Sequence, residues 1–258
     1  MGQLYALVSA GGSPGVTTTA VAMAMTWPAP VIVAECDPSG GDVLAGVLAG
    51  HVPVRQGLME HAIEAGRGPR VAAASLAAQL VPFDAGGTRM VLPGLTDPRQ
   101  AAGLASAWAN VAATLIAQPA DVIADCGRLG AGEGEPLPIL AAARAVGIVL
   151  RPTLRQVWSA MSRVDILVQL LGGEDRLALL LTGRGTHSAG EVSRVLGVRV
   201  AAVLPDDPRT ASVLSDGTER RRNLDSSPLM RSAKSAGHEL RGRGAAPASQ
   251  SAGTGTRA

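Results

Sequence analysis

The chain runs to 258 residues, of which 47% are hydrophobic, 17% charged and 2% aromatic, so a folded core must be drawn from Ala, Val, Leu and Ile. The net charge of +2 is concentrated late, with eight basic and three acidic residues from Gly217 onward, which leaves the remainder slightly acidic. A body of that sign is a poor stand-alone nucleic-acid binder.

Short apolar runs alternate with helical stretches. Leu4–Ser9 reads as a buried strand, followed by a glycine-rich turn and a helix through Thr26. Trp27-Pro28-Ala29-Pro30 breaks that helix, and Val31–Glu35 is a second strand. Gly40–His51 and Arg55–Gly66 are expected as short helices, Arg89–Leu92 as a third strand and Pro98–Ala117 as a helix. Val122–Asp125 is a fourth strand, Pro138–Ala143 a helix, Ala145–Leu150 a fifth strand and Thr153–Leu171 a long helix. A strand at Leu177–Leu181, a helix at Ala189–Leu196 and a strand at Val198–Val203 follow. Ser226–Leu240 patterns as a last helix, with Leu229, Ala233, Ala236 and Leu240 on one face.

Apolar runs of four to six residues without alternation indicate strands buried on both faces, and their alternation with helices indicates parallel pairing. The expected fold is a three-layer α/β sandwich with a mostly parallel central sheet, whose binding sites lie at the carboxyl ends of the strands. This domain spans residues 1–240, and 241–258, rich in Gly, Ala, Ser and Thr, reads as a disordered tail.

The uncharged stretch Gln100–Ala120 is long enough to span a bilayer, but it is dominated by Ala and carries Gly103, Ser106, Asn110, Gln118 and Pro119, so it reads as a covering helix. No secretion signal is seen, which points to the cytoplasm. Cys36 and Cys126 form neither a disulfide framework nor a metal spacing and read as small buried hydrophobes. His51, His61, His187 and His238 have no metal-like spacing, and surface or capping roles suffice for them. The apolar face of the last helix has two Ala beside two Leu and no Phe or Trp, too weak for membrane anchoring, so docking onto the domain is expected. Arg220-Arg221-Arg222 reads as a solvated charge cluster.

The first strand runs into Ala10-Gly11-Gly12-Ser13-Pro14-Gly15-Val16-Thr17-Thr18-Thr19 and then a helix. Glycines there let the backbone bend around an anion, N–H groups at the helix start hold phosphate oxygens, and a Thr hydroxyl can reach Mg²⁺. Against G-x-x-x-x-G-K-[ST], Gly15 and Thr17 fit, whereas Ala10 replaces the first Gly and Val16 the Lys. An ordinary strand-to-helix turn is the plain alternative. A dinucleotide loop is disfavoured because no register gives G-x-G-x-x-G, although Glu35 and Asp37 lie where a ribose-binding acid would. The second strand ends in Glu35-Cys36-Asp37-Pro38 and the fourth in Asp125-Cys126-Gly127-Arg128, which puts carboxylates at two further strand ends.

With these residues in this order the chain resembles ParA/MinD-type ATPases, and most of all their divergent CpaE/TadZ-like branch. The resemblance runs from Leu4 to Leu240 and includes Val149-Leu150-Arg151-Pro152 and Leu204-Pro205-Asp206-Asp207-Pro208-Arg209. The family loop K-G-G-x-G-K-T-T places its signature lysine on Gly11, its second lysine on Val16 and its Mg²⁺-binding threonine on Thr17, a degenerate Walker A. The resemblance implies ATP and Mg²⁺ as cofactors, with nucleotide held by Gly11, Gly12, Ser13, Gly15, Val16, Thr17, Thr18 and Arg151. It makes Asp37 the residue that orients attacking water, and Thr17, Asp37 and Asp125 the metal site. The Asn that reads adenine in the family falls near Thr182. The implied role is a positioning or recruitment factor that dimerises on ATP and binds a protein partner, with DNA or a membrane surface as further contacts.

Lys234, on the expected last helix, is the single lysine beside 22 arginines, so the loop has no lysine of its own to serve phosphate. Losing one charge-assisted contact weakens ATP binding ~10- to 100-fold, and losing a preorganised donor slows transfer ~10²–10³-fold. Weak or no hydrolysis follows, with a nucleotide-free scaffold as the rival. Arg128, Arg151 and Arg155 are the candidates to restore the charge in part.

Overall fold

The computed structural model describes residues 1–12, 14–41, 43, 46, 57–130, 134–216 and 224–243. Strand β1 (Leu4–Ser9) leads into α1 (Val16–Met25), β2 (Val31–Glu35), α2 (Leu58–Ala65), α3 (Pro69–Gln79), β3 (Val81–Pro82) and β4 (Arg89–Leu92). A 3₁₀ turn at Pro98–Gln100 precedes α4 (Ala101–Leu104), α5 (Trp108–Ile116), β5 (Asp121–Arg128), α6 (Leu137–Ala142) and β6 (Ala145–Leu150). The chain continues through α7 (Leu154–Leu171), β7 (Leu177–Thr182), α8 (Ala189–Leu196), β8 (Val200–Leu204), α9 (Pro208–Ser215) and α10 (Pro228–Gly242).

The eight strands form one sheet in the order β3-β4-β2-β5-β1-β6-β7-β8, in which only the β3–β4 pair is antiparallel. Alternate residues of β1 serve opposite faces. Leu4, Ala6 and Val8 pack with α2–α8, while Tyr5 and Leu7 pack with α1, α9 and α10. Helices on both faces of a mostly parallel sheet make the three-layer sandwich that the strand pattern predicts. Each large apolar side chain buried here, such as Trp108 at 1% exposure, stabilises the fold by about 1.5–3 kcal/mol.

The predicted Pro98–Ala117 helix is a 3₁₀ turn and two α-helices separated at residues 105–107. Helices α3 and α9 and strand β3 are additions to the expected elements. The Gly40–His51 expectation falls largely outside the described residues, as do Arg220–Arg222 and the tail beyond residue 243. The last helix docks as expected: Leu229, Met230, Ala233, Ala236 and Leu240 are buried against the body. Gly237 lies against the Trp27 ring, where a Cβ would approach to 2.9 Å. Trp27 is fixed from three sides. Its Nε1 donates to Asp121 Oδ2 at 2.9 Å, Tyr5 meets its ring edge-on at 5.3 Å, and the Arg241 guanidinium lies 5.7 Å from the ring centroid. Among the described residues no helix is long and apolar enough to cross a membrane.

His61 corrects the sequence reading. It is fully buried on α2, and neither ring nitrogen has a hydrogen-bond partner among the described residues. Burial lowers its pKa to about 4. Because the folded value lies below the ordinary 6.5, the unfolded chain takes up the proton first. The stability that the neutral ring preserves is therefore complete above pH ~6.5 and is lost as pH falls towards ~4. His61→Leu is expected to raise stability at pH 5 by about 1–2 kcal/mol and flatten the pH profile. Thermal melts of both proteins from pH 5 to 8 check this; parallel profiles would refute it.

Candidate nucleotide site

Gly15 begins the site. Its φ of 92° and ψ of 43° lie in the left-handed region open to glycine, and this turns the chain from β1 into α1. The N–H groups of Val16, Thr17 and Thr18 open the helix with no carbonyl of their own helix to bond, so they face outward as an anion cradle. Two side chains hold the loop in place. Thr182 Oγ1 donates to Pro14 O at 2.9 Å and Ser159 Oγ donates to Ala10 O at 2.8 Å.

A cleft of about 420 Å³ lies over this turn, lined by Ser9, Gly12, Gly15, Val16, Thr17, Thr18, Asp37, Ser39, Gly127 and Arg128. At its base the Thr17 hydroxyl donates to Asp125 Oδ2 at 2.5 Å, while Gly127 N donates to Oδ1 at 3.0 Å. Burial pushes the Asp125 carboxyl up to about 7, against the pull of those two hydrogen bonds and with a further push from the Glu35 and Asp37 charges. Asp37 Oδ1 accepts from Ser39 N at 2.8 Å, which sets the turn after β2. Gly127 makes that turn fit: its φ is 61°, and a Cβ there would fall 2.0 Å from the Asp37 carboxyl carbon.

Glu35 points elsewhere. It pairs in register with Asp125, but its Oε1 accepts from Val43 N and its Oε2 from Gly94 N, so it braces two neighbouring loops. Both cysteines are buried, and burial raises both thiols well above their usual range, which suits inert packing.

The sequence-derived site residues divide among three clefts. Gly12, Gly15, Val16, Thr17, Thr18 and Asp37 line the one just described, with Asp125 beneath Thr17. Arg151 lines a second cleft of about 190 Å³ with Gly15, Thr18, Thr182 and the Pro205–Asp207 stretch. Gly11 opens instead towards α7: a Cβ there would meet Gln156 and Ser159, and Gly11 lines a third cleft of about 400 Å³. Ser13 lies outside the described residues. The sequence reading passed over Ser9, Ser39, Gly127, Gln156, Ser159 and Arg163. Of these, Arg163 carried a usable signal, eight residues beyond Arg155 on one helix face.

A larger cavity of about 690 Å³ opens at the amino ends of β7 and β8, lined by Glu174, Arg199, Glu239 and Arg243. An Arg199–Glu239 ion pair at 2.7 Å occupies its wall, and it lies away from the strand ends where such sheets bind ligands.

Hard oxygen donors at Thr17, Asp125 and Asp37 suit Mg²⁺, which keeps most of its waters and takes one or two protein oxygens beside phosphate. Among the described residues no group of three or more His, Cys, Asp or Glu side chains is placed to hold a metal by itself.

The eight-stranded, mostly parallel sheet with helices on both faces has the fold of solved MinD and ParA proteins. A ParA family ATPase from Chlorobium tepidum TLS superposes with a TM-score of 0.73 at 14% identity, over 92% of this chain and 99% of that one. MinD in the MinC:MinD complex of Aquifex aeolicus gives 0.72 at 15% identity, over 93% and 96%. MinD of Pyrococcus horikoshii OT3 complexed with Mg-ADP gives 0.66 at 17% identity, over 93% and 96%. At identities this low, the superpositions show a shared fold alone. No protein-family model matches the chain, and no curated protein matches it.

Proposed function

We propose that this chain is a ParA/MinD-like, nucleotide-gated positioning or recruitment factor of the CpaE/TadZ-like kind, which binds Mg²⁺-ATP and hydrolyses it feebly or not at all. The Thr17–Asp125 hydrogen bond beneath an open helix start carries the proposal, because that pair would seat the metal while the backbone amides hold phosphate. Arg151 and Thr182 would flank the nucleoside, and Asp37 would orient water. Mg-ADP on one similar structure and MinC on another support a nucleotide and a protein partner. An exposed apolar strip on α7 and α8, with Leu154 at 68%, Trp158 at 73% and Val195 at 55% exposure, suits a protein partner or a second copy.

The missing ammonium limits the chemistry. Val16 stands in its place, 7% exposed and packed into the core, and this favours the second reading, a scaffold that recruits partners without nucleotide. Calorimetry separates the two. Mg²⁺-ATP titrated to millimolar concentration should give a saturable heat that Thr17→Ala weakens ~10-fold or more, with the Mg²⁺ dependence lost. No heat from the unmodified protein gives the scaffold reading the case.

A further inference from the structure

Three clefts follow one another along the phosphate loop. The nucleoside-side cleft and the phosphate cleft share Pro14, Gly15 and Thr18, and the phosphate cleft and the third share Gly12 and Arg128. That order puts the third cleft at the end farthest from the nucleoside. Its charged lining is Arg128, Arg155 and Arg163, with no carboxylate among the described residues that line it. None of the three guanidinium groups has an ion-pair partner among the described residues; Arg163 donates only to the Ser162 hydroxyl.

The cleft is built by one helix stripe. Arg155, Ser159 and Arg163 recur at i, i+4 and i+8 on α7, so they lie on one face. Ser159 ties that stripe to the phosphate loop through Ala10 O, and Arg163 reaches over Gly130 at the end of β5, where a Cβ would come 3.0 Å from its Nη2. Gln156 is buried to 5% exposure and lines the cleft. Its Oε1 accepts from Arg151 N, while its Nε2 has no partner among the described residues. An amide donor without a partner and three guanidinium groups without an ion-pair partner among the described residues, set around one opening, are complementary to a polyphosphate end.

We propose that this arginine cleft takes the terminal phosphate of a nucleoside triphosphate seated on the loop, so that guanidinium groups of the same chain supply charge where the loop has Gly11 and Val16. The inference rests on the nucleotide reading above and specifies what distinguishes the triphosphate from the diphosphate. Arg128 touches both clefts, so the test leaves it alone and changes Arg155 and Arg163, which are exposed and half-buried.

Mg²⁺-ATP and Mg²⁺-ADP are titrated by calorimetry into the full chain and into the Arg155→Gln/Arg163→Gln variant. The unmodified protein is expected to prefer ATP, and the variant to lose ~10- to 100-fold in ATP affinity while ADP affinity holds. Arg155→Lys/Arg163→Lys should recover part of that loss. Equal losses for both nucleotides, or no loss, overturn the inference while leaving the nucleotide reading intact. Should the unmodified protein bind neither nucleotide, that reading fails. Tripolyphosphate alone then decides the cleft: binding lost in the double Gln variant retains a polyphosphate site, and its absence removes it.

Discussion

Val16→Lys is expected to tighten Mg²⁺-ATP binding ~10- to 100-fold, the value of one charge-assisted contact of about 1.5–3 kcal/mol. Val16 opens α1 and lines the 420 Å³ cleft, so a lysine there can lay its methylene stem where the valine packs and put its ammonium among the loop amides. The cost is a modest loss of packing, since Val16 is 7% exposed in a cluster with Ala20 and Val213. Val16→Met, similar in stem and uncharged, separates charge from shape. Calorimetry should show the gain for lysine alone. A gain for both variants, or for neither, would mean the amides of this loop do not hold phosphate.

Gly127→Ala should be the most damaging single methyl addition near the site. A left-handed φ of 61° costs an alanine about 1–2 kcal/mol, and the new Cβ would lie 2.0 Å from the Asp37 carboxyl carbon. Relief requires Asp37 to leave its hydrogen bond with Ser39 N or the end of β5 to shift. A total of about 2–4 kcal/mol corresponds to a melting temperature lower by roughly 5–10 °C in a domain of this size. Asp37→Ala removes the obstacle, so the double variant should melt well above the additive expectation. Strict additivity would show that the two groups do not meet.

The sequence made the sheet legible wherever a strand carried its own signal. β1, β2, β4 and β6 each carry an apolar run, and Glu35 closes β2, whereas β5 runs three residues beyond the predicted end at Asp125, to Arg128. β3 was illegible for the opposite reason: it has two residues, one of them Pro82, and pairs only at the sheet edge. α9 hid inside a motif. Pro205-Asp206-Asp207-Pro208 reads as a loop, yet Pro208 at the first helical position and Asp207 Oδ1 accepting from Thr210 N are start signals. The Gly15 turn from β1 into α1 could be placed from local spacing, whereas the cleft lined by Arg128, Arg155 and Arg163 forms through tertiary packing that periodicity does not reach. His61 is similar: its burial follows from how α2 meets α3 and α5, and nothing in its immediate neighbours announces it.

Helix α1 has two attachments with different purposes. Its first turn bears Thr17, and the chain just past its last turn delivers Trp27 to the seam closed by Gly237 and Arg241 of α10. A chain shortened before Pro228 would therefore bare a sticky flank of Trp27 and its neighbours and remove the backing from the helix that presents the threonine. Purification tags belong beyond Arg243, where they leave that seam whole, and a fusion that replaces the last helix would be expected to precipitate.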